Sequence, residues 1–361
     1  MLEKGKISSG EFLIMVIIFT IGGAILTLPS VLVSLAKQDG WIAYIIATLI
    51  GLCFVLLFTR LASLYPSMNY IEVNEKIFGI WIGKISALLF LLYLYYLSSA
   101  LLSEIGNFFS TQVLVETPME MIMILFIVTS LFGARLGLEV ICRTALIFFP
   151  WLVLLLFILF VFLIPDIKIE NMQPVFEEGM KPIMRGAYHS LALPYVQLVF
   201  FLMITPYVHE KAEMKKNFYL GTILGGGVLF LVIIFCILVL GAENTARLTY
   251  PSYKLGMRIS IGDFFERVEV IVAFIWVFTE YFKLTICFYG LALGLAQLMG
   301  LQNYKILLFP LAFLILTFTI FSHPDLVHYQ NFMATAWTPL SLTICFIMPL
   351  LLLTVGKIRG R

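Results

Sequence analysis

Apolar residues fill this chain in long blocks, each closed by a short polar stretch. Ten such blocks run roughly over 11–35, 41–63, 82–109, 118–134, 144–164, 184–206, 217–241, 265–298, 306–322 and 333–355. A bilayer demands about 20 apolar residues of a helix that crosses it, so each block predicts a transmembrane helix. The runs are continuous and lack the alternation of lipid-facing strands, which excludes a membrane barrel. Connections are short except 165–183 and 242–264. The first contains proline and is mostly acidic. The second is mixed polar and aromatic, with room for a short helix on the membrane surface.

Composition sharpens this picture. The chain is 61% hydrophobic and only 12% charged, with a mean hydropathy of +1.04. A soluble domain carries about 25% charged residues, so the solvent for this surface is lipid. The basic start, MLEKGKISSGEF, runs into an apolar block with no small-residue cleavage site and too long for a signal peptide; it reads as an uncleaved first span. A net charge of +2 gives no reason to expect nucleic acid. Cys53, Cys142, Cys236, Cys287 and Cys345 are scattered, with no CxxC or Cys/His cluster, so they read as packing residues. Lys and Arg concentrate on the side that holds both termini, which predicts cytoplasmic N- and C-termini.

Ten spans divide as five plus five, and an odd number per half makes the halves run in opposite directions. That is the inverted-repeat geometry of many secondary transporters. A single membrane domain over 1–361 is expected, with one repeat over about 11–164 and the other over about 184–355. The first span of each half is interrupted. Span 1 carries FTIGGAILTLPS, with Gly22, Gly23 and Pro29; span 6 carries Pro194 beside Ser190 and Gln197. Unwound backbone at membrane depth is tolerated where it is buried in protein or lines a cavity. Glycine permits the unwinding and leaves no side chain between backbone and ligand. Gly22, Gly23 and Ala24 facing Leu193 and Pro194 therefore predict a midplane site for a small zwitterion. Close packing of small residues is the alternative for a glycine pair alone.

Two further spans supply walls. In span 3, Tyr93, Leu97, Ala100 and Glu104 share one helical stripe, with Glu104 expected near the outer end as a vestibule or snorkelling residue. In span 8, Lys283 lies about halfway along with Glu280 one turn earlier. Intramembrane ionisable residues cost at least about 2.5–3.5 kcal/mol each and are functional suspects by default. Two readings stand: a Glu280–Lys283 pair with a packing role, or a Lys283 ammonium facing the ligand. His189, His209, His323 and His328 are dispersed, with no catalytic triad, metal spacing or phosphate loop. No catalytic residue, metal or cofactor is expected, and His189 reads as a polar lining residue.

The glycine pair with LTLPS, then DGWIA at Asp39 to Ala43, resembles the B subunits of spore nutrient-germinant receptors, the GerAB family. So do IFGIWIGK at Ile77 to Lys84, ENMQPVFEEGMKPI at Glu170 to Ile183 and FFERVE at Phe264 to Glu269. The likeness runs in order over essentially the whole chain. It implies membership of the amino acid–polyamine–organocation superfamily, with a ten-helix inverted-repeat core. It further implies a subunit in the spore inner membrane that binds a small nutrient, often an amino acid. Signalling would pass through a membrane A subunit and a lipoprotein C subunit. The ligand positions it carries over are Gly22, Gly23, Tyr93, Leu97, Leu193 to Gln197 and Lys283. Where the family pattern often has a glutamate after the second break, this chain has Gln197. An amino-acid permease of the same superfamily is the alternative reading.

Overall fold

A computed structural model describes residues 3, 5–259, 268–323 and 326–359. Residues 264–267 of the FFERVE motif lie outside them. The fold is nearly all helical; among the described residues the only β feature is a parallel bridge between Ile7 and Val208. Among the described residues, eight helices are long and apolar enough to cross a membrane. The chain is a multi-pass helical membrane protein.

Helix α1 (Ser9–Ile21) is started by a capping box in which Ser8 and Glu11 satisfy each other's backbone N–H groups. It stops at Gly22, whose φ of 27° breaks the helical path, and α2 (Ala24–Ala36) begins after Gly23. One apolar block thus becomes two half-helices. A 3-10 turn at Lys37–Asp39 leads into α3 (Gly40–Leu64). The connection that follows is not the plain loop the hydropathy suggests: it holds α4 (Tyr70–Phe78), capped by Asn69 and Glu72. The long α5 (Ile80–Phe108) comes next and packs on α4. After it come α6 (Met119–Leu136) and α7 (Leu138–Leu163), both largely exposed along their apolar faces, as lipid contact requires.

The second predicted break is sharper than a kink. Helix α8 (Met180–Ser190) ends, Leu191–Tyr195 form turns, and the chain resumes as a 3-10 helix over Val196–Met203. Span 6 is therefore not a continuous α-helix. Proline at 194 denies the backbone a donor, and Gln197 Nε2 donates to Ala192 O at 3.0 Å, satisfying one freed carbonyl. Tyr195 fixes the turn from the other side. Its hydroxyl bonds Thr48 Oγ1 at 2.6 Å and donates to Tyr44 at 2.8 Å.

Helix α9 (Lys211–Phe235) lies against α1, with Phe12, Phe19, Phe200, Phe201 and Phe218 interlocked at its core. The connection after it folds into α10 (Ala242–Arg247) and α11 (Pro251–Gly256). These pack onto α2, burying Tyr250 and Tyr253, so this segment serves as a wall of the bundle as well as a connection. Helix α12 (Glu269–Leu298) runs beside α5 and α6 through the middle of the molecule. Helix α13 (Lys305–Ser322) follows; then α14 (Leu326–Phe332), α15 (Thr338–Leu342) and α16 (Met348–Ile358) form one long run, interrupted by π-helical turns at Met333–Trp337 and Thr343–Ile347.

Candidate functional site

The break at Gly22–Gly23 is where three buried ionisable side chains meet. A Cβ added at Gly22 would lie 2.6 Å from Lys283 Cδ and 3.3 Å from its Nζ. One added at Gly23 would lie 2.7 Å from Glu104 Oε2. The missing side chains are thus the space in which Lys283 and Glu104 reach the backbone. The arrangement follows helix electrostatics. Orphan carbonyls make the end of α1 partially negative, and orphan amides make the start of α2 partially positive. Lys283 occupies the first end, its Nζ 5.0 Å from the centre of the Phe19 ring. Glu104 occupies the second. Glu280 faces the Gly23 amide without reaching hydrogen-bond geometry.

Two expectations change here. Glu104 is no snorkelling residue: it is 7% exposed, and its carboxyl group sits against Gly23 at the break. Glu280 and Lys283 interact through space but make no direct ion pair. Among the described residues no carboxylate oxygen lies within 4.0 Å of the ammonium. Both are buried, at 0% and 2% exposure, and the lysine turns instead toward Gly22.

The remaining sequence-derived positions divide. Ala24 opens α2 beside the charges and is buried. Leu97 is buried on α5. Tyr93 donates to Ser341 Oγ at 3.2 Å and stacks on Trp337 at 5.3 Å, so its hydroxyl is committed to α15. Ser190 donates to Ala187 O within its own helix. Pro194 is buried in the second break, and Gln197 keeps an Oε1 without a partner there. Among the sequence-derived ligand positions, Leu193 lines a cavity beside the breaks.

That cavity, about 370 Å³, opens between α2, α5, α8, α10 and α14. Glu104 and Asn107 of α5 line it, as do Arg185 and His189 of α8. His189 is therefore a lining residue, as its place in the sequence suggests. Tyr250, Tyr329 and Trp337 supply aromatic surface. The last two escape a search for broken spans: Tyr329 lies in the polar, aromatic run LVHYQNF just before the final apolar block, and Trp337 lies inside that block. Glu104 joins the two features: it lines the cavity and touches the break. Tyr329 holds it there through a hydroxyl donated to Oε2 at 3.4 Å.

Comparison with known proteins gives this geometry a family. The model described as spore germination protein matches residues 6–327. The chain is 28% identical over 324 residues to spore germination protein KB of Bacillus subtilis (strain 168), covering 88% of this chain and 86% of that one. It is 27% identical to spore germination protein YndE of the same strain, covering 81% of each. Spore germination protein B2, also of that strain, is 23% identical over 93% of this chain and 92% of its own. The chain belongs to the spore germination protein family.

Proposed function

We propose that this member of the family is the nutrient-sensing membrane subunit of a spore germinant receptor. It binds a small nutrient, an amino acid, where the broken span 1 meets spans 3, 6 and 8, and binding triggers germination. The observation that carries the reading is the Gly22–Gly23 break, loaded with Glu104, Glu280 and Lys283 and bordered by a cavity. A backbone break that sets buried charges against half-helix ends is a two-state element, because filling the cavity alters the field each charge feels. The reading takes α1 with α2 as one interrupted span and α8 with its 3-10 continuation as another. Ten spans then form two inverted halves, about 11–164 and 184–355, with both termini in the cytoplasm. The site set is Gly22, Gly23, Ala24, Tyr93, Leu97, Ser190, Leu193, Pro194, Gln197 and Lys283. The partners are an A subunit in the membrane and a lipoprotein C subunit, in the spore inner membrane. The names of its relatives support the setting.

Spores of a strain lacking this gene, exposed to a panel of amino acids and sugars, test the proposal. Loss of response to one or more amino acids is expected. Normal germination with every nutrient would sink it. A bulk permease is the second reading, favoured by the paired breaks, which are the backbone device of secondary transporters. Uptake of the identified amino acid into proteoliposomes above a protein-free control would favour that reading.

A further inference from the structure

Glu104 is a buried acid whose hydrogen-bonding capacity the protein leaves half used. Among the described residues its Oε1 has no partner, and Oε2 receives only the long bond from Tyr329. Among the described residues no Lys or Arg nitrogen comes within 4.0 Å of it. Lys283 acts on it through space but spends its ammonium on the other side of the break, beside Gly22 and Phe19. An acid buried at the break with an unpartnered oxygen can accept a cation that the other described residues do not bring to it.

The surroundings fit an ammonium group. Tyr250, Tyr329 and Trp337 line the same cavity, and aromatic faces attract cations through the ring quadrupole. At about 370 Å³ the cavity suits a molecule of amino-acid size. Its lining also includes Arg185 and His189, donors for an anionic end. We propose that Glu104 is the ammonium-binding residue of this cavity, and that its ligand is a primary amine carrying an anionic group. The inference rests on the reading that the protein binds an amino-acid nutrient, and it deepens that reading by placing the ligand beside the break. Oε2 stays against Gly23 while Oε1 takes the ammonium, so ligand charge reaches the start of α2 through the Glu104 carboxylate.

The test uses the full-length protein in lipid nanodiscs and calorimetric titration. The probes are the twenty proteinogenic amino acids and, for each primary amine that binds, the 2-hydroxy acid with the same side chain. Wild-type protein is expected to bind the hydroxy acid at least about 30-fold more weakly than the amino acid, the effect of losing one partner of a buried charge pair. Glu104→Gln is expected to weaken the amino acid by a similar factor while leaving the hydroxy acid unchanged; a merely structural role would weaken both. Equal binding of the two acids to wild type overturns the assignment without any variant. Full affinity in Glu104→Gln overturns it while leaving the amino-acid reading intact. Binding of none of the twenty would remove that reading and this assignment together.

Discussion

Gly22 combines two constraints that a single methyl group would violate. Its φ of 27° is a region that L side chains rarely adopt, and its missing Cβ makes room for the Lys283 stem. Gly22→Ala is expected to cost about 1–3 kcal/mol, the range for strained backbone, read as a lower midpoint of thermal unfolding in nanodiscs. An unchanged midpoint would mean that Lys283 withdraws freely and the break is pliable. His323 offers a second residue-scale test. It is 3% exposed, neither ring nitrogen has a partner among the described residues, and it stacks edge-on against Tyr96 and Tyr329. Burial, with His328 adding to it, pushes its pKa down to about 4. An unfolded histidine titrates at about 6.5. Below that value the unfolded chain binds a proton that the native state refuses until about pH 4, so the native state loses stability as pH falls across that window. Thermal stability of wild type should therefore decline more steeply from pH 6.5 to 4 than that of His323→Gln. Parallel pH profiles would remove the histidine from the account.

Helix packing explains which elements the sequence made legible. Both breaks could be read because glycine and proline interrupt long apolar runs, and backbone chemistry is local. Helix α4 was not, because it is short and half polar, although Asn69 and Glu72 write a capping signal before it. The depth of Glu104 is also hidden: hydropathy places a residue along its own helix, whereas its carboxyl group is covered by Gly23 and Tyr329 from distant parts of the chain. For the same reason Lys283, midway along its span, is legible as buried while Glu104, on the other side of the break, is not. Another local signal, Gly221 and Gly225 four residues apart on α9, sets how closely that helix meets α1. A Cβ at Gly225 would lie 2.8 Å from Thr20 Cβ and 3.0 Å from the Ile17 carbonyl oxygen, and backbone cannot step aside as a flexible side chain can. Small residues at such spacing let membrane helices approach closely. Gly225→Val should destabilise the protein by about 1–3 kcal/mol through overpacking and displace α1, which ends at the break. A lower melting midpoint with a weakened nutrient response is expected, whereas Gly227→Val, where nothing lies within 4 Å of an added Cβ, should be near neutral. Equal effects at the two positions would deny α9 its role as the bed of α1.

At the scale of the whole molecule, the bilayer converts a pattern of charges into an orientation. Lys4, Lys6, Lys211, Lys215 and Lys216 fall on one side of the proposed topology, and the acidic 165–183 connection falls on the other. The fold ties Ser9 to that basic segment: its amide donates to Glu210 at 2.8 Å, and its hydroxyl to Glu213 at 2.9 Å. The start of α1 and the start of α9 must therefore share one membrane face. The 165–183 connection is likewise tied to the far end of α2, where Lys37 pairs with Glu178 at 2.5 Å and Phe176 N–H donates to Asp39 at 2.9 Å. Since the α1–α2 run crosses the bilayer once in the ten-span reading, these two sets of contacts lie on opposite faces. Positive charge is retained in the cytoplasm, and the proposed topology accordingly takes the first face as the inner one. In a background with all five cysteines replaced, Lys181→Cys should react with a membrane-impermeant maleimide added outside. Lys215→Cys should react only after permeabilisation. Labelling of Lys215→Cys in intact membranes, with Lys181→Cys protected, would invert the topology. The Glu104 cavity is lined by Arg185 of α8 and Arg247 of α10, both beside connections assigned to the outer face, so inversion would also turn its mouth toward the cytoplasm.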